Sequence, residues 1–242
     1  MTAIRIEKLT KQYGDVVAVD GLSLNIKEGE LFSLLGVNGA GKTTTIKMLS
    51  CLVKPTSGEA FLLNKSILKD TTEVKSYIAV SPQETAIAPK LTVRENLELI
   101  CGIYSFSKSK TQEKISELGT TLSLNNIMNK KAGKLSGGYA RRLSIAMALI
   151  SEPKILFLDE PTLGLDVIAR SELWDVIRSL KGNVTIILTT HYMEEAEALS
   201  DRIAIMKDGK LLMCDTPNEI KNQMGVESIE KAFIKIVRGE NR

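Results

Sequence analysis

The run Gly36-Val37-Asn38-Gly39-Ala40-Gly41-Lys42-Thr43 fits the pattern G-x-x-x-x-G-K-[ST], whose residue types suit the binding of phosphate. Its glycines let the backbone turn tightly, so that N–H groups and the start of a following helix at Thr44 face an anion. Lys42 adds a point charge, and the Thr43 hydroxyl can ligate Mg2+. At ordinary residue frequencies the pattern arises by accident in on the order of one per cent of chains this long. Its setting lowers that figure, because it follows the apolar run Leu31 to Leu35 and precedes Thr44 to Leu49, which reads as a helix start. Nucleotide phosphate binding is the expectation.

In an open parallel sheet ligands bind at the carboxyl ends of strands, so cooperating groups should follow separate apolar runs. Gln83, Asp159, Glu160 and His191 do so. Two adjacent carboxylates are costly to hold at a strand end without a cation or hydrogen-bond donors. A Mg2+ held by Thr43 and the nucleotide would supply that charge to Asp159, leaving Glu160 to orient or deprotonate an attacking water. The plainer reading of this pair is an N-cap before Pro161. His191 is the only histidine of the chain, and a lone histidine is more often structural; after Leu188-Thr189-Thr190, however, its N–H could contact a γ-phosphate. Through its amide oxygen, Gln83 could touch Mg2+ or the water. Leu135-Ser136-Gly137-Gly138-Tyr139 forms a second anion cradle, in which the Ser136 hydroxyl, the Gly138 N–H and a helix dipole could hold a γ-phosphate. An ordinary N-cap is the alternative, yet two cradles in one chain need explaining.

The elements that position these groups show in the apolar periodicity. Ile4, Ile6 and Leu9, then Leu22, Leu24 and Ile26, alternate as in antiparallel strands packed by one face. Tyr77 to Val80, Ile155 to Leu158 and Thr185 to Leu188 read as parallel core strands. Residues from about 90 to 152 read as helical, with a capping box at Thr92 and Glu95 and an amphipathic stretch from Ser136 through Leu143, Met147 and Ile150. A helix over Ser171 to Leu180 carries Trp174 as a core residue. Ile203 to Met213 predicts a hairpin turning at Asp208-Gly209, and the tail from Asn218 predicts one short docked helix that leaves no room for an added regulatory domain.

Composition sets the outer bounds. The chain has 242 residues and 26.6 kDa, enough for one domain, or one domain with a smaller lobe. A hydrophobic content of 43% and a charged content of 25% are those of a globular protein. No apolar run approaches the roughly 18 residues needed to span a bilayer, and the N-terminus lacks a signal-peptide core, so a cytosolic location is expected. Cys51, Cys101 and Cys214 are odd in number and far from metal spacing, which predicts reduced thiols. The net charge of +3 gives little support to nucleic-acid binding, and none is expected. Lys130, Lys131, Lys134, Arg141 and Arg142 form the densest basic stretch and are expected on solvated faces.

Taken together, these residues resemble the nucleotide-binding domain of ABC transporters across nearly the whole chain. Gly36 to Thr43 is similar to the Walker A loop, Gln83 to the Q-loop, Leu135 to Tyr139 to the signature, Ile155 to Glu160 to Walker B with its catalytic glutamate, Gly164-Leu165-Asp166 to the D-loop and His191 to the switch histidine. Tyr13 stands where the family places an aromatic on adenine. One departure is Tyr139, where many members have Gln, although the inferred contacts come from Ser136 and Gly138. The resemblance implies an α/β P-loop NTPase with a RecA-like core of mixed, largely parallel sheet, an N-terminal antiparallel β part and an inserted helical subdomain. It divides the chain into a core over 1–88 and 153–216, a helical signature part over 89–152 and a tail over 217–242.

It further implies ATP and Mg2+ as ligands, with Thr43, Gln83 and Asp159 on the metal. Two copies, or close relatives, would pair head to tail, so that the signature of one closes on the ATP of the other. A separate membrane subunit would carry the pore and hold the chain at the cytoplasmic face of the membrane. The segments Thr189 to Glu197 and Leu91 to Leu97 are similar to the branch serving bacterial exporters. The rival is a soluble ABC ATPase of DNA repair, chromosome structure or translation. Against it, the interval from Gln83 to Ser136 is too short for a long coiled coil, and translation factors normally carry two such domains. A P-loop GTPase is disfavoured because no Asn-Lys-x-Asp guanine motif occurs.

Overall fold

The computed structural model describes residues 1–239. The alternating N-terminal segment forms β1 (Thr2–Tyr13) and β2 (Val16–Lys27), an antiparallel pair. β3 (Leu31–Leu35) follows, with all five residues buried, and the glycine loop leads from it into α1 (Lys42–Leu49). β4 (Ser57–Leu62) and β5 (Lys65–Ser66) complete a four-stranded sheet in the order β2-β1-β4-β5.

After α2 (Thr71–Tyr77) comes β6 (Ile78–Ser81), and then three helices before the next strand: α3 (Val93–Ile103), α4 (Lys108–Thr121) and α5 (Gly137–Leu149). The Thr92 hydroxyl accepts from the Glu95 N–H while the Glu95 carboxylate accepts from the Thr92 N–H, so the predicted capping box starts α3. The chain continues through β7 (Ile155–Asp159), α6 (Val167–Leu180), β8 (Thr185–Thr190), α7 (Met193–Leu199), β9 (Arg202–Lys207), β10 (Lys210–Asp215), α8 (Pro217–Met224) and α9 (Ile229–Arg238).

The second sheet runs β10-β9-β3-β8-β7-β6, parallel except for the β9–β10 hairpin. Its central strands are apolar on both faces because both are covered. Ile155 and Phe157 face the side shared with the antiparallel sheet and α1, while Leu156 and Leu158 face the helices α3 to α6. A third cluster packs Leu35, Ile203 and Ile205 against Ala196, Ile220, Ile229 and Phe233 of the last three helices.

Register places the functional strand ends on one row. Leu35 pairs with Thr190, Asp159 with Thr189, and Leu158 with Ser81. The glycine loop, Glu160, His191 and the exit of β6 therefore leave the sheet on the same side.

Several expectations are corrected. Tyr77 ends α2, donating its hydroxyl to Glu73, and the strand starts one residue later. β7 extends one residue past the apolar run that ends at Leu158, so that Asp159 is its last residue. α6 begins at Val167, because Asp166 accepts the Ala169 N–H at 2.9 Å and caps the helix four residues before the expected start. The tail forms two helices, divided where Gly225 closes α8 in the left-handed region. Residues 240–242 of that predicted tail lie outside the described residues. Among the described residues no helix is long and apolar enough to cross a membrane, and Cys51, Cys101 and Cys214 are free thiols.

Phe157 is fully buried in β7 between the two sheets. Phe157→Ala should cost about 3–5 kcal/mol through lost burial and the cavity left behind. Urea denaturation should show a lower midpoint with an unchanged slope; an unchanged midpoint would place the ring outside the core.

Candidate nucleotide site

The glycine loop has its shape because side chains would block it. A Cβ on Gly36 would lie 2.6 Å from the Met206 carbonyl oxygen, and one on Gly41 2.5 Å from that of Ala18, with Gly41 at φ +100. From this loop the Lys42 ammonium turns inward, donating to the carbonyls of Gly36 (2.8 Å) and Val37 (3.2 Å) and lying 3.5 Å from Glu160 Oε1. Burial pulls its pKa below the ordinary value, while Glu160 and Asp159 push the other way.

Asp159 is held by hydroxyls. Its Oδ1 accepts from Thr189 at 2.5 Å and from Thr43 at 3.1 Å. Thr189 Oγ1 also accepts the Glu160 N–H at 3.0 Å, so one threonine fixes both acidic residues. Glu160 adopts a left-handed φ of 46, a strained conformation for a non-glycine residue, and is directed away from Asp159 toward Lys42 and His191. His191 Nδ1 lies 3.3 Å from Glu160 Oε2 without the alignment of a hydrogen bond.

These groups border a cleft of about 810 Å3 that brings together Tyr13, Asn38, Gly39, Ala40, Gly41, Lys42, Thr43, Thr44, Gln83, Glu160 and His191. Tyr13 is half exposed at its mouth beside Val16 and Val17, with the Lys11 ammonium 4.9 Å from its ring centre. Asp159, Gly36 and Val37 lie behind or beside the lining. The cleft fits a triphosphate with a hard cation: Thr43 and Asp159 offer neighbouring oxygens, and Gln83 lines the same cleft as Thr43. Among the described residues no cluster of three or more His, Cys, Asp or Glu side chains could hold a metal ion.

The Ser136 group does not reach this cleft. Ser136 precedes α5 as its N-cap, but its hydroxyl makes no capping bond, and both Ser136 and Gly137 are exposed. A Cβ on Gly137 would come 3.1 Å from Leu165, and one on Gly138 3.1 Å from Ala169, so Leu135 to Tyr139 and the Asp166 turn form one surface. Exposed Val167 and Ile168 adjoin it.

Other residues differ from expectation or escaped it. Arg141 and Arg142 are buried instead of solvated: Arg142 pairs with Glu172, and Arg141 reaches the backbone at Gln83 and Glu160. Trp174 is only partly buried, and its indole N–H donates to Glu195 at 3.1 Å. Glu195 is fully buried, and its Oε2 has no hydrogen-bond partner among the described residues. The polar pair Thr189 and Thr190 inside an apolar run was the available signal for Thr189; Arg141 and Glu195 gave none, since their partners are distant in sequence.

A family model described as ABC transporter matches residues 19–163. The chain is 38% identical over 242 residues to "Probable multidrug ABC transporter ATP-binding protein YbhF" of Escherichia coli (strain K12), covering 98% of the chain and 42% of that protein. It thus spans about two fifths of the length of that relative. It is 39% identical over 229 residues to "Daunorubicin resistance ATP-binding protein DrrA2" of Streptomyces coeruleorubidus, covering 94% of the chain and 71% of that protein. Among solved structures, a dimeric post-hydrolysis state of the ATP-binding cassette MJ0796 bound to ADP and Pi matches with a TM-score of 0.77 and 30% identity, covering 88% of this chain and 98% of that one.

Burial pushes the Glu195 carboxyl above its ordinary value of 4.5, with the nearby Thr190 and Thr162 side chains and the Trp174 N–H acting against the shift. As pH rises above 4.5 the unfolded chain therefore releases this proton first, and Glu195 costs stability up to its folded pKa. Glu195→Gln removes that cost while keeping an acceptor for Trp174. Its thermal midpoint relative to wild type should be higher at about pH 8 than at about pH 5, and a pH-independent difference would mean that Glu195 folds already ionised.

Proposed function

The chain belongs to the ABC transporter family, and on that premise we propose that it is the ATP-binding and hydrolysing subunit of an exporter, pairing head to tail with a second such domain around two ATP. One observation carries the reading. The phosphate loop, Glu160 and His191 converge on the cleft, whereas Ser136, whose hydroxyl makes no capping bond, and Gly137 are exposed on another surface, with Gly138 buried just behind them. One chain thus holds two halves of different sites.

In this reading Lys42 and the Gly36 to Thr44 backbone bind the phosphates, and Tyr13 stacks on adenine. Thr43, Gln83 and Asp159 would hold Mg2+, which when bound adds charge that stabilises the phosphate oxygens. Glu160 accepts a proton from, or orients, the attacking water, and His191 donates to the γ-phosphate. Ser136 and Gly138 complete the partner's site across the surface shared with Asp166. The parts 1–88 with 153–216 and 89–152 serve as binding core and signature-bearing arm, and of the tail over 217–242 the described residues up to 239 dock on the core.

An apolar groove beside the Gln83 loop supports a membrane partner. Leu52, Ile103 and Tyr104 are all more than half exposed there, close to Ile100, Met147 and Pro82. A separate permease seated in this groove would hold the chain at the cytoplasmic face of the membrane. The likeness to proteins named for multidrug transport and daunorubicin resistance supports export as the direction.

Glu160→Gln should lower ATP turnover by roughly 10²–10⁴-fold, the contribution of a positioned general base, and should yield an ATP-bound dimer on size exclusion. Replacement of Ser136 should lower turnover while monomer affinity for ATP stays near wild type. Wild-type turnover in Glu160→Gln would remove the role given to that carboxylate.

A further inference from the structure

Arg141 lies on α5, five residues beyond Ser136, and is only 4% exposed. Its guanidinium crosses to the strand ends, where Nη1 donates to the Pro82 carbonyl at 2.5 Å and Nη2 to the Gln83 carbonyl at 2.6 Å. Nη2 also lies 3.4 Å from the carbonyl of Glu160. A guanidinium taken out of water is costly, and neutral carbonyls compensate it less fully than a carboxylate does. Burial lowers its pKa against the opposing pull of Asp159 and Glu195.

What this position gains is geometry. A planar fork with donors fixed in space joins two consecutive carbonyls leaving β6 to a third at the end of β7. At the ordinary helical rise, Arg141 sits about 7.5 Å along the axis from Ser136. Ser136 is the N-cap residue of the same continuous helix that carries Arg141, so a tilt at the start of α5 carries the guanidinium with it, while Gly137 and Gly138 let that turn lie close to Leu165 and Ala169.

We infer that Arg141 is a positioning residue linking the Ser136 segment to the hydrolytic groups of its own chain's cleft, so that engagement of Ser136 and Gly138 by the partner's ATP aligns Gln83 and Glu160. The inference rests on the proposed head-to-tail pairing. When the start of α5 closes on the partner's nucleotide, the fork moves the Gln83 backbone and the Glu160 carbonyl together. Each of the paired clefts thereby responds to occupancy of the other.

The test compares full-length wild type with Arg141→Met and Arg141→Lys, each checked for folding by circular dichroism. Arg141→Lys keeps the charge and much of the length but lacks the rigid planar fork that holds the carbonyls of two strand ends in fixed relation, so it covers the case in which the Met variant folds poorly. Binding of a fluorescent ATP analogue to monomer should stay within about twofold of wild type, while kcat falls about tenfold or more in both variants. The Hill coefficient for ATP should drop toward about 1, and amide exchange over residues 83–87 should speed up. Wild-type kcat and cooperativity in either folded variant would overturn the inference. Wild-type protein that hydrolyses ATP without cooperativity would instead overturn the pairing on which it rests.

Discussion

Two adjacent carboxyl groups, Asp159 and Glu160, must be kept out of water at the end of a central strand, and much of the surrounding structure answers that constraint. They are 5% and 8% exposed, and an uncompensated buried charge costs several kcal/mol. The two are resolved in different ways. Asp159 stays within β7 and takes hydroxyls from Thr43 and Thr189. Glu160 turns through the left-handed region and comes within ion-pair reach of Lys42 and within 3.3 Å of His191 Nδ1. The strained turn separates the two charges that sequence makes adjacent, giving one access to the hydroxyl side and the other to the open cleft. The P-loop, Thr189 of β8 and the sole histidine all serve this separation.

Much of that arrangement was legible because it obeys local rules. Leu31 to Leu35 reads as a doubly covered strand, and the glycine loop must follow it immediately to set its N–H groups at the strand end. Gly41 is demanded by a backbone at φ +100 packed on the Ala18 carbonyl, which no side chain tolerates. Thr92 and Glu95 satisfy each other within one turn, so the start of α3 needs no tertiary information. Asp208-Gly209 turns its hairpin for an equally local reason, since both residues take positive φ.

The features that were not legible depend on partners far away in the chain. Nothing near Arg141 says that it will bond carbonyls at Pro82 and Gln83; a basic pair on a helix reads as solvated until the fold closes around it. Trp174 looks like a core aromatic by spacing and does pack on the core, but it is only partly buried, and its N–H goes to the buried Glu195 on α7, a partner that spacing does not announce. The tail carries enough apolar residues for one helix, yet Gly225 breaks it and lets Ile220 and Ile229 reach the same cluster from two directions. The early start of α6 comes from a cap by Asp166, a residue whose family role lies in a loop.

The exposed apolar side chains beside Asp166 bear on how the proposed pair would be controlled. Leu163, Val167 and Ile168 are 37%, 78% and 73% exposed and flank the surface bearing Ser136. Full burial of three such side chains on each chain would contribute at most about 1.5–3 kcal/mol apiece, and their partial exposure lowers that figure. Association of two proteins costs roughly 4–15 kcal/mol before any contact is counted. The patch alone therefore sits near break-even and leaves the balance to the contacts that ATP makes with two chains at once. An interface of this strength can form when both clefts are filled and open when the γ-phosphate is gone. A larger apolar patch would hold the pair closed regardless of nucleotide, and hydrolysis would then change nothing that a membrane partner could sense.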